Sequence, residues 1–286
     1  MVSFFDPHAM RNPQTGRMGF PDRVDDLPED LLQPSKDTLF AEQGIDTPVQ
    51  RTRTAGYLNA VKRLDYGVGL LIDALDEYGI ESETLLIFVG DHGPPFARGK
   101  TTNYEFGLRV PLLLRLTGQT YGQVAASMVS TVDIYPTILQ ALGIDIPSPI
   151  HGVSLLPVIS NPDIQIHDYL YSEWEYHGRS PHFPRRAIRD QQYKLIHNLK
   201  FDQAAPSVAI DGDRVYFDAV QEPWETTLAG QAFARFAEPP EFELFDLQSD
   251  PLEQVDLSSS EAHVQVLNRL KKSLAAEIEK IHDPKI

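Results

Sequence analysis

Two neighbouring segments carry residue types that can do chemistry together. Asp91 and His92 follow directly on residues 84–90, a continuous apolar run of strand length. Lys100 lies in the polar stretch that comes next, before a second apolar run at residues 110–116. A carboxylate that can hold a divalent cation, followed by a lysine that can meet an anion, suits cleavage of an ester or amide of an oxyanion. Asp91-His92-Gly93 also has the form Asp-x-Gly, and after a strand such a sequence is more often an ordinary turn.

The surrounding pattern predicts that these side chains stand at the edge of a sheet. The run at residues 84–90 shows no polar alternation, which is typical of a central strand covered on both faces in a parallel sheet. Residues 110–116 predict a second strand. In open parallel sheets, ligands bind beyond the carboxyl ends of the strands, and Asp91 and His92 occupy that place.

One helix is predicted before these strands in the sequence and another after them. This order of helices and strands indicates an α/β domain with a mostly parallel sheet. Apolar residues recur at three- and four-residue steps over residues 54–79, the spacing of one helical face. The basic residues of this region, Arg63 among them, are interpreted as a solvated face. A second helix is predicted at residues 134–142, with Asp133 as its N-cap and Gly143 after its end.

After about residue 160, short aromatic-rich segments replace the longer helical and apolar runs. This change predicts a domain at residues 1–159 and a smaller one at residues 160–286. Short segments rich in aromatic and β-branched residues, separated by turn residues, predict a small antiparallel sheet. These segments are residues 169–174, 186–188, 193–199, 214–217 and 243–247. A single apolar stripe predicts a terminal helix over residues 261–282.

Composition argues against several classes of partner. The chain has 286 residues with 25 basic and 41 acidic side chains, a formal net charge of −16 at pH 7. Such a charge disfavours nucleic acid and anionic membrane surfaces, so an anionic substrate must be met by a local positive site. The lack of cysteine excludes disulfides, thiolate metal sites and a cysteine nucleophile. No apolar run reaches the ~20 residues of a membrane span, and the first residues lack a signal-peptide pattern, so the compartment stays open.

Six segments in register resemble the sulfatase family through the second half of its catalytic domain. They are residues 65–69, 84–93, 99–105, 109–111, 130–137 and 152–157. Three later segments, residues 193–198, 243–247 and 250–253, resemble the sulfatase C-terminal subdomain. Phe5-Asp6-Pro7-His8 and His282-Asp283-Pro284 are most similar to the heparan N-sulfatase (sulfamidase) branch of that family.

The resemblance implies a fold and a set of roles. The fold would be the C-terminal part of an alkaline-phosphatase-like, mostly parallel sheet with flanking helices, followed by the small antiparallel sheet and terminal helix. Asp91 and His92 would bind a divalent metal, with calcium as first choice although a histidine is unusual for a cation that prefers oxygen. Lys100 would contact the sulfate oxygens and the bridging atom, and His8 would lie on the leaving-group side.

The resemblance also implies a substrate class. The substrate would be a sulfated, glycosaminoglycan-like sugar, cleaved at a sulfate ester or a sulfamate. His177 and Arg186 lie in a region that resembles the substrate-facing loops of the sulfamidase branch, and plain surface placement is the alternative for Arg185 and Arg186. The alternatives without a catalytic role are a capped turn residue for His8 and a solvated lysine for Lys100.

Parts of the family pattern are not found in this sequence. Sulfatases attack sulfur with a formylglycine made from the first residue of a C/S-x-P-x-R motif and use an Asp-Asp pair as further metal ligands. The nearest candidate, Ser180-Pro-His-Phe-Pro184, lacks that spacing. The sequence therefore predicts the C-terminal part of a sulfatase whose first half is absent. We expect this chain to be inactive by itself. Full-length relatives are expected to be exported proteins. The alternatives are a phosphatase or phosphoryl transferase of the same superfold and a non-catalytic remnant that only binds.

Overall fold

The structure, a computed structural model, describes residues 1–12, 15–16, 18–20, 30–117, 122–177, 182–203 and 226–283. The helices within these ranges are α1 (Pro48–Glu77), α2 (Glu105–Leu108), α3 (Ile134–Ala141), α4 (Leu156–Ser160), α5 (Leu228–Ala237) and α6 (Val264–Lys280). The strands are β1 (Met10–Arg11), β2 (Met18–Gly19), β3 (Leu86–Val89), β4 (Leu112–Arg115), β5 (Leu170–Trp174), β6 (Arg185–Arg189), β7 (Tyr193–Asn198) and β8 (Phe242–Asp246). Among the described helices, none combines the length and apolar character needed to cross a bilayer.

Helix α1 confirms the predicted helix at residues 54–79 and begins earlier, at Pro48. The Thr47 side chain accepts a hydrogen bond from the Gln50 amide (3.1 Å), and Pro48 occupies the first turn, where its missing N–H costs nothing. Gly79, with φ of +64°, follows the end of the helix. The buried face of α1 includes Arg63, so the interpretation of this arginine as solvated is wrong.

Strands β3 and β4 form where the two apolar runs predict them, but they pair with each other antiparallel. The expectation of parallel pairing between neighbours in a parallel sheet is therefore wrong for this pair. The connection between them contains only the four-residue helix α2, and a parallel crossover normally needs a longer helical connection. An apolar run does not encode strand direction. Val89 and Leu113 are exposed, so these strands are not covered on both faces within the described chain.

Helix α3 confirms the prediction at residues 134–142, with a different role for Asp133. The Asp133 side chain does not cap α3; it closes the preceding 3-10 turn by accepting the Ser130 amide (2.7 Å). Its carboxylate also accepts the Val153 amide (2.9 Å) and lies 2.9 Å from His167 Nε2. This buried carboxylate therefore ties the start of α3 to the chain that follows it.

The predicted C-terminal antiparallel sheet is confirmed, with strand order β5-β6-β7-β8. The candidate strand at residues 214–217 lies outside the described residues. The terminal helix is also confirmed as a 3-10 turn, Glu261–His263, that leads into α6. Leu270 and Leu274 of α6 are buried against one face of the sheet.

Alternation along β6, β7 and β8 divides the sheet into two unlike faces. Ile188, Leu195 and Leu244 form the face under α6. Their neighbours Ala187, Ile196 and Phe245 point the other way and pack with α5 and with the loop after β3. The second face thus connects the C-terminal sheet to the segment that carries Lys100.

Candidate active site

His8 and Lys100, 92 residues apart in sequence, meet in the structure. Lys100 Nζ lies 3.4 Å from His8 Nε2. Lys100 is only 4% exposed, whereas lysine is almost never buried unless it is paired. The alternative of a solvated lysine is therefore wrong, and two residues to which the family resemblance assigns roles lie in contact.

The hydrogen bonds of His8 define which ring nitrogen faces Lys100 as an acceptor. His8 Nδ1 lies 2.7 Å from the Ala9 carbonyl oxygen. A carbonyl can only accept, so Nδ1 carries the proton and donates it. Nε2 then presents a lone pair to the Lys100 ammonium group, which donates. The pair thus joins a buried cation to an imidazole nitrogen that can exchange a proton.

An ion pair with α1 positions the segment that carries His8. Arg63 binds the Asp6 carboxylate with two hydrogen bonds, from Nε (3.0 Å) and Nη2 (2.9 Å). The His8 amide donates to the Phe5 carbonyl (2.9 Å), and the two rings lie 5.1 Å apart. A two-pronged arginine–carboxylate contact restricts orientation as well as distance. The turn before His8 is therefore held against a rigid helix.

The backbone on both sides of Lys100 is in an unfavourable conformation. Arg98 and Thr101 have φ of +64° and +71°, the left-handed region that side chains with a Cβ rarely adopt. Such residues persist only where their surroundings impose them, and they cluster at functional sites. Here the Arg98 guanidinium donates from Nη2 to the carbonyls of Leu252 (3.0 Å) and Glu253 (2.6 Å).

Three glycines allow the loop at residues 93–107 to fold back on itself. A Cβ on Gly93 would lie 1.9 Å from the Phe106 carbonyl oxygen. A Cβ on Gly99 or Gly107 would lie 2.4 Å from a backbone oxygen. The Gly93 amide donates to the Gly107 carbonyl (2.8 Å), which closes the loop. The loop is thus a compact unit, and Lys100 belongs to it.

Asp91 and His92 lie directly after β3, as predicted, at an exposed rim. Their Oδ2 and Nε2 atoms are 3.5 Å apart. His92 Nδ1 lies 2.8 Å from the Gly93 carbonyl oxygen and must donate to it, so Nε2 keeps a lone pair available for a metal ion. The two donor atoms therefore stand side by side, with the Asp91 side chain largely open to solvent.

The donor pair fits one divalent cation but does not complete its coordination. Ligands about 2.3–2.6 Å from one calcium ion at right angles lie roughly 3.3–3.7 Å apart, and the pair matches that separation. Calcium takes about 6–8 ligands. Within the described ranges, no group of three or more histidine or acidic side chains is arranged to hold a metal. Asp91 and His92 can thus supply part of a site.

The two candidate substrate residues lie in different surroundings. His177 is exposed, in the chain that follows β5. Arg186 is buried, and its guanidinium binds Asp283 through Nε (2.5 Å) and Nη2 (2.9 Å), and Glu175 through Nη2 (2.6 Å). Its substrate role stays a prediction, and its observed role is to bind the chain that follows α6 to the sheet.

Arg185 is not a surface residue either. It is buried, and its guanidinium lies 4.9 Å from the centroid of the Phe183 ring and 5.6 Å from those of Trp174 and Phe236. Such cation–π contacts partly compensate for the lost hydration of the charge. Plain surface placement is therefore wrong for both arginines.

Sequence reasoning missed a cluster of charges between the loop at residues 93–107 and the C-terminal sheet, in which Lys194 and Glu253 are buried and Glu105 and Arg189 are half-buried. We call Glu105, Arg189, Lys194 and Glu253 the ion cluster. Lys194 Nζ lies 3.1 Å from Glu105 Oε1 and also contacts the Glu253 carboxylate. Arg189 Nη1 donates to Glu105 Oε2 (2.6 Å). Lys194 stands in β7 between tyrosine and leucine, and this local pattern gave no sign of the cluster.

The charges of the ion cluster shift the pKa values of its two carboxyl groups in opposite directions. Burial alone raises the pKa of Glu105, but Lys194 and Arg189 outweigh it and hold the pKa below its ordinary value. For Glu253 burial prevails over the attraction of Lys194, and its pKa is raised. Glu105 is therefore the carboxylate that stays ionised most strongly.

Comparison with known proteins identifies the family of this chain. The sequence model of the sulfatase family matches residues 2–144, and that of the N-sulphoglucosamine sulphohydrolase C-terminal region matches residues 90–208. Human N-sulphoglucosamine sulphohydrolase is 30% identical over 99% of this chain and 61% of its own length. The chain belongs to the sulfatase family, and it spans about three fifths of the length of that human relative.

Solved structures confirm the fold. A protein whose structure was solved in complex with its substrate D-glucosamine-2-N,6-O-disulfate matches with a TM-score of 0.63 and 22% identity, over 83% of this chain and 42% of that one. A phosphonate monoester hydrolase from Silicibacter pomeroyi matches with a TM-score of 0.59 and 20% identity, over 89% and 51%. At such identities the likeness shows the alkaline-phosphatase-like fold of the sulfatases and not the substrate.

We expect this chain to bind calcium weakly, because Asp91 and His92 provide two donors where the ion needs about 6–8. Isothermal titration calorimetry of the purified chain should give a Kd weaker than about 1 mM, the weak end of protein calcium sites. Asp73→Asn, which removes an exposed carboxylate of α1, serves as the matched control. Micromolar binding that Asp91→Asn abolishes and Asp73→Asn leaves intact would show that other side chains complete the site.

Asp283→Asn should destabilise the fold in a pH-dependent way. Burial raises the pKa of Asp283, but the hydrogen bonds from Arg186 and Tyr171 outweigh it and hold the pKa below its ordinary value of 3.8. A lowered pKa gives stability that is present above the unfolded-state pKa and lost as the pH falls through the folded-state pKa. We expect a loss of about 1.5–3 kcal/mol at pH 7 for the weakened charged hydrogen bonds.

Urea unfolding at a series of pH values measures this effect. The difference in unfolding free energy between the parent chain and Asp283→Asn should begin to narrow as the pH falls through the unfolded-state pKa of about 4, and it should be lost only below the lowered folded-state pKa, where Asp283 is neutral. Asp73→Asn should change stability little at any pH. A difference that persists unchanged in acid would mean that the ion pair with Arg186 is not its source.

Proposed function

We propose that this chain forms part of a sulfatase active site that hydrolyses sulfate esters or sulfamates of sulfated sugars. Its part would be the edge that carries the metal ligands Asp91 and His92, together with the side that faces the leaving group. The observation that carries the proposal is the contact between buried Lys100 and His8 at 3.4 Å. A buried lysine held by strained backbone is costly for the fold, and an anionic transition state is a reason to retain it.

Lys100 and His8 would divide the work on the sulfuryl group. The Lys100 ammonium would bind the oxygens of the sulfate and offset the negative charge that develops on the bridging atom. His8, with its Nδ1 proton directed at the Ala9 carbonyl, would donate a proton from Nε2 to the leaving group in its doubly protonated form, since the neutral ring carries only a lone pair at Nε2. Asp91 and His92 would hold the divalent cation, which supplies positive charge beside the sulfate when bound.

The class of sugar is supported by charge and by relatives. A chain with a formal charge of −16 attracts a sulfated sugar only through a local cationic site, and Lys100 provides one. The human relative is an N-sulphoglucosamine sulphohydrolase, and the structure of one fold neighbour was solved in complex with a glucosamine disulfate. A glycosaminoglycan-like sugar is therefore the substrate class that we propose.

The attacking group and the remaining metal ligands would come from outside the residues that the structure describes. Covalent catalysis needs a nucleophile within hydrogen-bond reach of its partners. In the sulfatase family that group is a formylglycine, and this sequence has neither cysteine nor a C/S-x-P-x-R motif. We therefore propose that the chain acts together with a segment equivalent to the unmatched part of its relatives.

Turnover assays on an aryl sulfate and on N-sulfated glucosamine test this function. We expect no turnover by the 286-residue chain and turnover by a form extended upstream in its own reading frame. In the extended form, Lys100→Ala should lower kcat/KM by about 10²–10³-fold, the usual effect of removing one donor to a developing anion. Lys272→Ala, on the exposed side of α6, should leave it unchanged.

Two results would contradict the proposal. Equal activity of both forms, abolished by Lys100→Ala, would overturn the need for a second segment and keep the sulfatase assignment. Activity confined to phosphate esters would favour the phosphatase of the same superfold. If the extended form is active on sulfates and Lys100→Ala is without effect, the role of Lys100 is wrong.

A further inference from the structure

The ion cluster lies between the C-terminal sheet and the loop that carries Lys100. Lys194 and Arg189 are neighbours across β7 and β6, on the face that packs toward that loop. Lys194 is fully buried, and Glu253 is 2% exposed. Glu105, the first residue of α2, belongs to the loop side. The ion cluster is thus a charged contact between the C-terminal sheet and the loop at residues 93–107.

Two contacts attach the Lys100 loop to the chain at Leu252 and Glu253. At one end, the Arg98 guanidinium donates to both of their carbonyl oxygens. At the other end, the Glu253 carboxylate accepts the Glu105 amide at 2.6 Å, at the first turn of α2. Lys100 lies between these two attachments. Its position therefore depends on where the Glu253 side chain and backbone are held.

Lys194 keeps the second attachment in place. Its ammonium group contacts both Glu105 and Glu253, two carboxyl groups that are close enough to share one cation. Without that cation, two acidic groups would face each other in a region of low dielectric, where like charges repel strongly. Arg189 reaches only Glu105. Removing Lys194 therefore leaves Glu253 without its cationic partner in the cluster.

We propose that Lys194 is a positioning residue for Lys100: by neutralising Glu105 and Glu253 it holds the loop so that the Lys100 ammonium meets His8. This inference rests on the proposed catalytic role of Lys100, and it extends that role to a residue of the C-terminal sheet that does not touch substrate. Its direct consequence is that the His8–Lys100 contact depends on a side chain in β7.

The imidazole ¹⁵N resonance of His8 Nε2 in the full chain reports this contact. Lys100→Met calibrates the shift that follows loss of the ammonium group 3.4 Å away. Lys194→Met should shift the same resonance in the same direction by a large part of that amount. Lys194→Arg, which keeps the positive charge, should restore a resonance close to that of the parent chain.

Leu195→Ala is the matched control for mere destabilisation. Leu195 follows Lys194 on the same strand, is fully buried, and faces α6 rather than the loop. Its truncation weakens the core of the same sheet and should leave the His8 resonance unchanged. Equal shifts in Leu195→Ala and Lys194→Met would show a general loosening and overturn the proposal, and so would an unchanged resonance in Lys194→Met.

A second variant covers the case in which Lys194→Met does not fold. Glu253→Gln keeps an oxygen for the Glu105 amide and removes the charge that binds Lys194, so it should give a smaller shift in the same direction. An unchanged resonance in that variant would overturn the proposal. These outcomes are independent of turnover, so a failed positioning role is distinguishable from a failed catalytic role of Lys100.

Discussion

The ion cluster, with Lys194 and Glu253 buried at its centre, is the interaction on which the rest of the candidate site depends. Burying a charge is expensive, and it is stable only when pairing and hydrogen bonds replace the lost water. Lys194 meets this condition by contacting Glu105 and Glu253 together, and Arg189 adds a second cation. Because these residues come from both the C-terminal sheet and the Lys100 loop, the two cannot separate without leaving a charge unpaired. A sheet without catalytic side chains thereby becomes part of the support for the site.

This support explains how a strained loop stays in place. Left-handed backbone at Arg98 and Thr101 is unfavourable, and only external contacts can maintain it. Those contacts end on Leu252 and Glu253, beyond β8. In another part of the chain, Asp6 bound to Arg63 holds the turn before His8. The cation and the imidazole are thus each fixed from a separate part of the fold.

Local patterns predicted the parts of this architecture that depend on periodicity and on order along the chain. Short aromatic and β-branched segments between turn residues placed the C-terminal sheet, a helical period placed α6, and the family pattern singled out Lys100 and His8. What failed depends on contacts between distant residues. Lys194 and Glu105 are 89 residues apart, and no spacing rule links them. The antiparallel pairing of β3 with β4 was missed for the same reason, since strand direction follows from the connection and not from the apolar run.

Native-state hydrogen exchange tests most directly whether the ion cluster makes the loop and the sheet one unit. Two amides report on the loop: that of Gly107, bonded to the Tyr104 carbonyl, and that of Arg109, bonded to the Glu105 carbonyl at the end of α2. In the denaturant dependence of exchange, both should share the opening free energy and slope of the β7 amides. Common values are the result expected if the loop opens only together with the sheet. Opening of the loop at a lower free energy, with β7 still protected, would contradict the account.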